Sequence, residues 1–305
     1  MSRPPPTSVL LPTVRWTDAC DDVAAQLRPE DELLVVCDGD DDPVAARADE
    51  LPDGVRLVFA GDPEGCSGKA NAVAAGMDAA SHDRIVWTDD DFHHPPDWLS
   101  TLHADYERHG PVSEVPFFVG RDPLSVLVEP LYALGGTLGT HAGDKAWAGA
   151  VLFERDDLDA DAFLSELRLT VSDDGLLSEH LDATSLRRTR RVPVGGSVRE
   201  SLERHVRFSK IVYRHEPRDM AVLLAVGAAL TLAGALFPGP VAVLATLLTA
   251  FVYAYFGVRR WTVLLAYPAM MLQVPLFAYG LARRTFVWGG RRYRWPSKFD
   301  VRVVE

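Results

Sequence analysis

Short apolar runs alternate with segments of helical spacing over the first 120 residues of the chain. Runs rich in Val, Leu and Ile, bounded by turn residues, predict strands at Ser8–Val14, Glu32–Asp38, Val55–Ala60 and Arg84–Thr88. Apolar positions three or four residues apart predict helices at Thr17–Leu27, Ser67–Ala80 and Pro95–His109. Strands that alternate with helices predict an α/β fold, with a parallel sheet and helices on both of its faces.

The pattern is less regular between residues 140 and 195. Further strands are expected at Ala146–Phe153 and Arg188–Val194, and a turn leading into a short helix at Val171–Leu181. Ser197–His215 is clearer, because it begins with the Ser-x-x-Glu spacing of a capping box and carries an apolar stripe beside basic residues. Such a helix before apolar segments predicts contact with a bilayer surface, and a solvated helix face is the alternative.

The chain becomes strongly apolar after residue 219. Three stretches carry no charge and are long enough to cross a bilayer: Ala221–Phe237, Val241–Val258 and Trp261–Ala282. The third contains Pro268, Gln273 and Pro275, so a bent, re-entrant or interfacial path is the alternative to a full crossing. The sequence therefore predicts two or three membrane segments.

Four parts are predicted along the chain. They are a cytoplasmic catalytic domain (1–195), a basic amphipathic interfacial helix (196–219), membrane segments (220–285) and a basic C-terminal tail (286–305). The 41 acidic and 22 basic residues of positions 1–219 argue against nucleic acid as a partner, because phosphate binding requires a basic patch. The excess of Asp (29) over Glu (14) favours a halophilic source, where self-repelling acidic surfaces stay soluble.

Three consecutive carboxylates, Asp89-Asp90-Asp91, follow the fourth predicted strand. Their mutual repulsion would be relieved by a divalent cation, and hard oxygen ligands suit Mg²⁺ or Mn²⁺. Such an ion neutralises charge on a departing diphosphate. In so Asp-rich a chain the triplet is weak evidence by itself, since Asp40-Asp41-Asp42 has the same composition and is expected to be a loop.

Further short motifs give the triplet its context. In chain order the series is Asp38, Ser67-Gly68-Lys69-Ala70-Asn71, Thr88-Asp89-Asp90-Asp91, Pro96-Asp97-Trp98-Leu99, Ser172-Asp173-Asp174-Gly175, Arg204-His205-Val206-Arg207-Phe208 and Trp288-Gly289-Gly290-Arg291-Arg292-Tyr293-Arg294. This series resembles the family 2 glycosyltransferases, in particular their ceramide glucosyltransferase-like membrane branch. The resemblance implies a GT-A domain, a Rossmann-like nucleotide-sugar-binding fold, followed by C-terminal membrane helices.

The resemblance also implies roles at the strand ends. Asp38 would contact the base or ribose of the nucleotide, and Lys69, at a helix start, would contact the nucleotide as well. Asp89 and Asp91 would be the outer members of an Asp-x-Asp pair that touches the ribose and holds the metal. For Lys69, a surface lysine without a ligand is the alternative.

Three more positions follow from the later motifs. The resemblance implies that Asp174 is the general base, and like-charge proximity to Asp173 is a way to raise its pKa toward a useful value. A helix-start pair stabilised by the helix dipole is the alternative. Arg204 and Arg207, three apart on a helix, suit a diphosphate clamp or a lipid headgroup. Arg204 and Arg207 match the Gln/Arg-x-x-Arg-Trp motif of the resembling family, but Phe208 stands where that motif has Trp. A hydrogen bond from an indole N–H is therefore excluded at this position.

The predicted function is that of a membrane-bound, inverting glycosyltransferase. It would move a sugar from a nucleotide-diphosphate sugar, expected to be a UDP-sugar, to a lipid acceptor at the cytoplasmic membrane face. A lipid is favoured because it would arrive within the bilayer plane. The alternatives are a processive polysaccharide synthase, for which the membrane part is small, and a non-catalytic membrane protein that binds nucleotide sugar.

Overall fold

A computed structural model describes residues 3–304 of the chain. The strands are β1 (Thr7–Pro12), β2 (Glu32–Cys37), β3 (Val55–Phe59), β4 (Arg84–Thr88), β5 (Val112–Gly120), β6 (Ala150–Glu154), β7 (Thr184–Val194), β8 (Thr285–Trp288), β9 (Arg291–Ser297) and β10 (Asp300–Val304). The α-helices are α1 (Asp18–Ala24), α2 (Gly68–Ala79), α3 (Trp98–His109), α4 (Pro123–Leu127), α5 (Glu129–Leu131), α6 (Gly139–Ala142), α7 (Ala160–Leu167), α8 (Asp173–His180), α9 (Val198–His215), α10 (Pro217–Leu236), α11 (Pro238–Tyr255) and α12 (Ala266–Ala282). A π-helix covers Tyr132–Leu138, and 3₁₀ turns cover Ala45–Glu50, Arg155–Asp157 and Trp261–Leu265.

The described residues form two compact units. The first unit consists of residues 3–115, Gly143–Leu186 and Lys298–Val303, and the second of Pro116–Ala142, Arg187–Ser297 and Val304. The four-part organisation drawn from composition remains a prediction, and its outer limits at residues 1 and 305 lie outside the described residues.

The sheet of the first unit has the strand order β3-β2-β1-β4-β6-β5-β7. From Pro116 and Arg187 onward, β5 and β7 continue into the second unit. β1 lies parallel to both β2 and β4, and β2 lies parallel to β3. β6 is antiparallel to β4, with Thr88 opposite Ala150. The predicted GT-A-like α/β fold is confirmed, with a mixed sheet in which parallel pairing covers the first four strands.

Local sequence explains where the helices of the first unit begin and end. The Ser67 side chain accepts a hydrogen bond from the N–H of Ala70 and thereby caps α2. α3 ends at Gly110, whose φ of +73° is a conformation that favours glycine. α2 lies close against the sheet, since a Cβ on Gly76 would come within 2.8 Å of the Leu10 side chain.

Some predicted elements differ from those in the structure. The strand expected at Ala146–Phe153 begins only at Ala150, because residues 146–149 form a loop held by hydrogen bonds to other elements. β5 was not predicted, since Glu114 and Pro116 interrupt its apolar pattern. α7 was not predicted either, although Asp159 accepts a hydrogen bond from the N–H of Ala162 and caps it.

The second unit is built around α12. This helix packs against α5, α9, α10 and α11. Glycines permit the close approach: a Cβ on Gly280 would lie 2.4 Å from Ser209 Oγ, and one on Gly234 would lie 2.9 Å from Met271 Sδ. The helical segments Pro217–Leu236, Pro238–Tyr255 and Trp261–Ala282 are each long and apolar enough to cross a membrane.

A buried carboxylate ties α5 to the turn after α11. Glu129 is fully buried and accepts two hydrogen bonds from Arg260, of 2.6 and 2.9 Å. Thr262 and the N–H of Gly120 also donate to it. A buried charge requires such partners, and no sequence motif indicated this one.

Candidate active site

The predicted acidic triplet lies at the carboxyl end of β4, and its three side chains have different surroundings. Asp89 is half-buried, with 20% of its side chain exposed. The hydroxyl of Thr13, which follows β1, lies 2.6 Å from Asp90 Oδ2. Asp91 is exposed. Thr13 and Asp90 meet because β1 and β4 are parallel neighbours, so their carboxyl ends share one edge of the sheet.

A lysine bridges two carboxylates at this edge. Lys69 Nζ lies 2.6 Å from Asp89 Oδ1 and 3.0 Å from Asp173 Oδ2. The exposed fraction is 18% for the Lys69 side chain and only 4% for that of Asp173. The structure therefore brings together two residues predicted for the site, Lys69 and Asp89, and adds Asp173, for which the sequence predicts only proximity to Asp174.

The two helices that carry Lys69 and Asp173 are joined at their first turns. The N–H of Ser67 donates to the carbonyl of Thr170, and its hydroxyl donates to the carbonyl of Val171 at 2.8 Å. The following residue, Ser172, caps α8 by accepting a hydrogen bond from the N–H of Gly175. Ser67 therefore acts as the cap of α2 and as the link to the start of α8.

Asp174 holds the loop that precedes β6. Its Oδ1 accepts a hydrogen bond of 2.6 Å from the N–H of Ala148. The carbonyl of the next residue, Gly149, accepts hydrogen bonds from the N–H of Asp89 and from the hydroxyl of Thr88. Through this loop, the predicted base is connected to the end of β4 that carries the acidic triplet.

A histidine after the triplet fixes the end of β4. His94 is buried, and its Nε2 lies 2.7 Å from the Thr88 hydroxyl. Because that hydroxyl donates its proton to Gly149, Nε2 must donate to Thr88. The ring also packs edge-on against Trp98, at 4.5 Å between centroids. The sequence placed His94 beside the acidic run, but this supporting role depends on the tertiary fold.

Burial and charge shift the ionisation of the cluster. Burial favours neutral Lys69, but the carboxylates of Asp173, Asp89 and Asp174 outweigh it and hold the pKa of the ammonium well above 10.5. Burial raises the pKa of Asp89 above its usual value. Burial and the adjacent Asp173 raise the pKa of Asp174 from 3.8 to about 7. A carboxyl group with that pKa is suited to take a proton at neutral pH.

The remaining strand-end residue, Asp38, follows β2 and is partly buried. Its backbone N–H donates to Asp42 Oδ2 at 2.7 Å. The run Asp40-Asp41-Asp42 forms a loop, as expected. Within it, the Asp42 carboxylate holds the backbone of Asp38. Asp38 lies at the same sheet edge as Asp89, since β2, β1 and β4 are parallel neighbours.

The two predicted arginines belong to the second unit, on α9. The guanidinium of Arg204 lies between two rings, 4.5 Å from the centroid of Phe118 and 4.8 Å from that of Phe208. Arg207 stacks on Trp288 at 3.9 Å. Stacking of this kind holds a planar guanidinium in one orientation. Phe208 therefore keeps a ring next to Arg204 although it replaces the Trp of the motif.

The donor atoms near the triplet fit a hard divalent cation in part. One oxygen of Asp89 is paired with Lys69, and the other lies 2.8 Å from the place that a Cβ on Gly149 would occupy. Carboxylate oxygens are the hard ligands that Mg²⁺ or Mn²⁺ prefers. Among residues 3–304, no group of three or more His, Cys, Asp and Glu side chains is arranged to hold a metal ion.

The segment that contains Asp38, Lys69 and the acidic triplet matches a model of a known protein family. Residues 17–143 match the family model described as Glycosyl transferase family 2. The match covers less than half of the chain, and it confirms the expected enzyme class, a glycosyltransferase. No curated protein matches the chain.

Solved structures similar to the chain include glucosyl-3-phosphoglycerate synthase from Mycobacterium tuberculosis in complex with Mn²⁺, UDP and glucosyl-3-phosphoglycerate. It is 20% identical, with a TM-score of 0.36 over 62% of this chain and 70% of that chain. TarS 1-349 of S. aureus in complex with UDP-GlcNAc is 11% identical, with a TM-score of 0.42 over 98% of this chain and 99% of that chain. These likenesses are too distant to assign a substrate.

Gly149 is a position where a side chain cannot be accommodated. A Cβ there would lie 2.2 Å from the Trp147 ring and 2.8 Å from Asp89 Oδ2. We expect Gly149→Ala to lower the free energy of unfolding by about 1–3 kcal/mol, because the loop and the Asp89 carboxylate must shift. Thermal unfolding in detergent measures this. The control is Gly239→Ala, where nothing lies within 4 Å, and equal effects of both changes would contradict the packing argument.

Proposed function

We propose that the chain is a membrane-bound, inverting glycosyltransferase that moves a sugar from a UDP-sugar to a lipid acceptor. One observation carries the proposal: Lys69, Asp89 and Asp173 are in contact at the carboxyl edge of the sheet, and a loop links them to Asp174. Ligands of open α/β sheets bind at this edge. The glycosyl transferase family 2 match over residues 17–143 supports the reaction class.

Donor binding is assigned to residues at the strand ends of the first unit. Asp38 would contact the nucleoside, Lys69 would contact the nucleotide, and Asp89 with Asp91 would hold Mg²⁺ or Mn²⁺. When bound, the ion supplies Lewis-acid neutralisation of the diphosphate charge. UDP as the nucleotide follows from the resemblance of the motifs.

Arg204 and Arg207 would receive the negative charge of the diphosphate. Guanidinium groups bind phosphate oxygens through paired N–H donors, and those of Arg204 and Arg207 are already oriented by aromatic rings. Pre-oriented donors lose less side-chain entropy when a ligand binds. This is the support for a diphosphate role over a loose contact with lipid headgroups.

Asp174 would be the general base of the transfer. It takes the proton of the acceptor hydroxyl while that oxygen forms a bond to the anomeric carbon. The bond from the anomeric carbon to the diphosphate oxygen breaks, and the nucleoside diphosphate departs with the electron pair. Of the two carboxylate oxygens of Asp174, only Oδ1 is hydrogen-bonded within residues 3–304. Oδ2 is therefore available to take the proton of the acceptor hydroxyl.

A lipid acceptor is supported by the apolar surface of the second unit. Exposed fractions reach 63% for Leu232, 66% for Leu244 and 68% for Phe251 on α10 and α11. Two long helices that expose apolar side chains to this extent are more stable in contact with lipid than in contact with water. We therefore propose a multi-pass protein of the cell membrane with its catalytic domain on the cytoplasmic side.

Two finer assignments belong to the same proposal. The ceramide glucosyltransferase-like branch is supported by the order of the motifs and by the segment Trp288–Arg294. A halophilic archaeal source is supported by the excess of Asp over Glu in the chain. A processive polysaccharide synthase remains the second candidate among enzymes, and three candidate spans are few for a polymer channel in one chain.

Replacement of Asp174 by Asn tests the base. Asn keeps an oxygen that can accept the Ala148 N–H bond, but it cannot take a proton. We expect Asp174→Asn to lower UDP release from UDP-sugars by about 10²–10⁴-fold and to leave UDP binding unchanged. Asp182→Asn, an exposed carboxylate after α8, is the matched control. If Asp174→Asn released UDP at the wild-type rate, Asp174 would not be the base. UDP release by the wild-type chain would itself exclude the non-catalytic alternative.

The acceptor is tested in lipid extracts of cells that carry the wild-type chain or the Asp174→Asn variant. We expect mass spectrometry to find lipid species heavier by one hexose-type unit only with the wild-type chain, because the variant retains the fold without the base. Identical lipid profiles would rule out a lipid acceptor. Accumulation of a sugar polymer would favour the polysaccharide synthase instead.

A further inference from the structure

We propose that Trp147 recognises the transferred sugar: its indole N–H donates a hydrogen bond to a hydroxyl oxygen of that sugar. Trp147 lies in the loop 146–149, which precedes β6 and belongs to the first unit. The inference deepens the proposed function and rests on it, because it uses the roles assigned to Asp89 and Asp174. Trp147 would thereby distinguish a UDP-sugar from UDP alone.

The indole N–H of Trp147 differs from those of the other tryptophans in the first unit. The other three donate hydrogen bonds within the protein: Trp16 to Asp21 at 2.9 Å, Trp87 to Met77 Sδ at 3.3 Å and Trp98 to Glu114 at 3.1 Å. Only 6% of Trp147 is exposed, yet its indole N–H has no acceptor among residues 3–304. Because indole N–H groups in such surroundings are normally bonded, this one is available to a ligand.

The loop of Trp147 touches both carboxylates that the proposed reaction uses. A Cβ on Gly149 would lie 2.3 Å from Trp147 Cε2, the ring carbon bonded to the indole nitrogen, and 2.8 Å from Asp89 Oδ2. The nitrogen-bearing edge of the ring is therefore next to Asp89. On the other side of the loop, the N–H of Ala148 donates to Asp174 at 2.6 Å.

The chemistry of the transfer puts the sugar beside this loop. The anomeric carbon must lie between the acceptor hydroxyl, which approaches Asp174, and the leaving diphosphate, on the side of Asp89. An indole N–H only donates hydrogen bonds, and a sugar hydroxyl oxygen accepts them. UDP alone has no hydroxyl of a transferred sugar, so the inferred contact is made by UDP-sugars and not by UDP.

Trp147 is held in place before a ligand arrives. Its backbone N–H donates to Ser113 Oγ at 2.8 Å, and its carbonyl accepts from the N–H of Ala150 at 3.0 Å. Its ring packs against Phe92, with 5.4 Å between the centroids. A donor fixed in this way loses little side-chain entropy on binding. Replacement by Phe keeps a ring and removes the N–H without breaking a hydrogen bond of the described residues.

The first test compares the binding of UDP with that of UDP-glucose, UDP-galactose and UDP-N-acetylglucosamine. Full-length protein in detergent is titrated by calorimetry with Mn²⁺ present. We expect Trp147→Phe to weaken binding of the tightest UDP-sugar by about 3–10-fold, because one hydrogen bond is lost, and to leave UDP binding unchanged. Trp261→Phe, at a tryptophan that is 63% exposed in the second unit, is the control and should change neither affinity.

The second test uses the wild-type chain and analogues of the tightest UDP-sugar that each lack one sugar hydroxyl. We expect one analogue to bind about 3–10-fold more weakly than its parent, and Trp147→Phe to bind that analogue and the parent equally, because the bond is already absent. Equal binding of every analogue and the parent by the wild-type chain would overturn the inference, whether or not the variant folds.

The outcomes separate this inference from the proposed function. If Trp147→Phe binds the UDP-sugar as tightly as the wild type, or loses UDP and UDP-sugar affinity equally, the inference fails and the proposed function stands. If the variant only raises the amount of lipid extract needed for half-maximal UDP release, the N–H serves the acceptor and the inference is wrong. If the wild type binds neither UDP nor any UDP-sugar, the proposed function fails with it.

Discussion

Carboxylates gathered at one edge of the sheet make a positive charge necessary there. Asp89 comes from the end of β4 and Asp173 from the start of α8, and both approach the ammonium of Lys69. Unpaired charges in such a setting would cost several kcal/mol each, so the edge is stable only with its lysine in place. The surrounding hydrogen bonds of Ser67, Ser172 and Gly149 serve to bring these charges together.

Most elements with strong local signals were predictable from the sequence. β4 has the predicted bounds, α2 lies within its predicted range, and Ser197 caps α9 as expected, because caps and apolar periodicity depend on neighbouring residues. The antiparallel direction of β6 was not predictable, since strand direction depends on long-range connections rather than local pattern. The π-helix at Tyr132–Leu138 lacks a sequence signal because its two adjacent glycines weaken any helical prediction.

The site was predictable as a set of strand ends but not as a network of contacts. Parallel neighbours place Asp38 and Asp89 at one edge, which follows from the order of the strands. The pairing of Lys69 with Asp173 joins residues about a hundred positions apart, and the hydrogen bonds of Ser67 to Thr170 and Val171 bring the starts of their two helices together. Sequence pattern carries no information on such a contact. The packing requirement at Gly149 appears only in the fold.

Metal-dependent release of UDP is the measurement that tests the account most directly. Membranes containing the wild-type chain are incubated with a panel of UDP-sugars and a lipid extract, with Mn²⁺ or Mg²⁺ or with an excess of chelator. The account predicts UDP release with the divalent ion, its loss in chelator and its recovery when the ion is restored. UDP release that continues at the same rate in chelator would contradict the assignment of Asp89 and Asp91 to a metal-assisted sugar transfer.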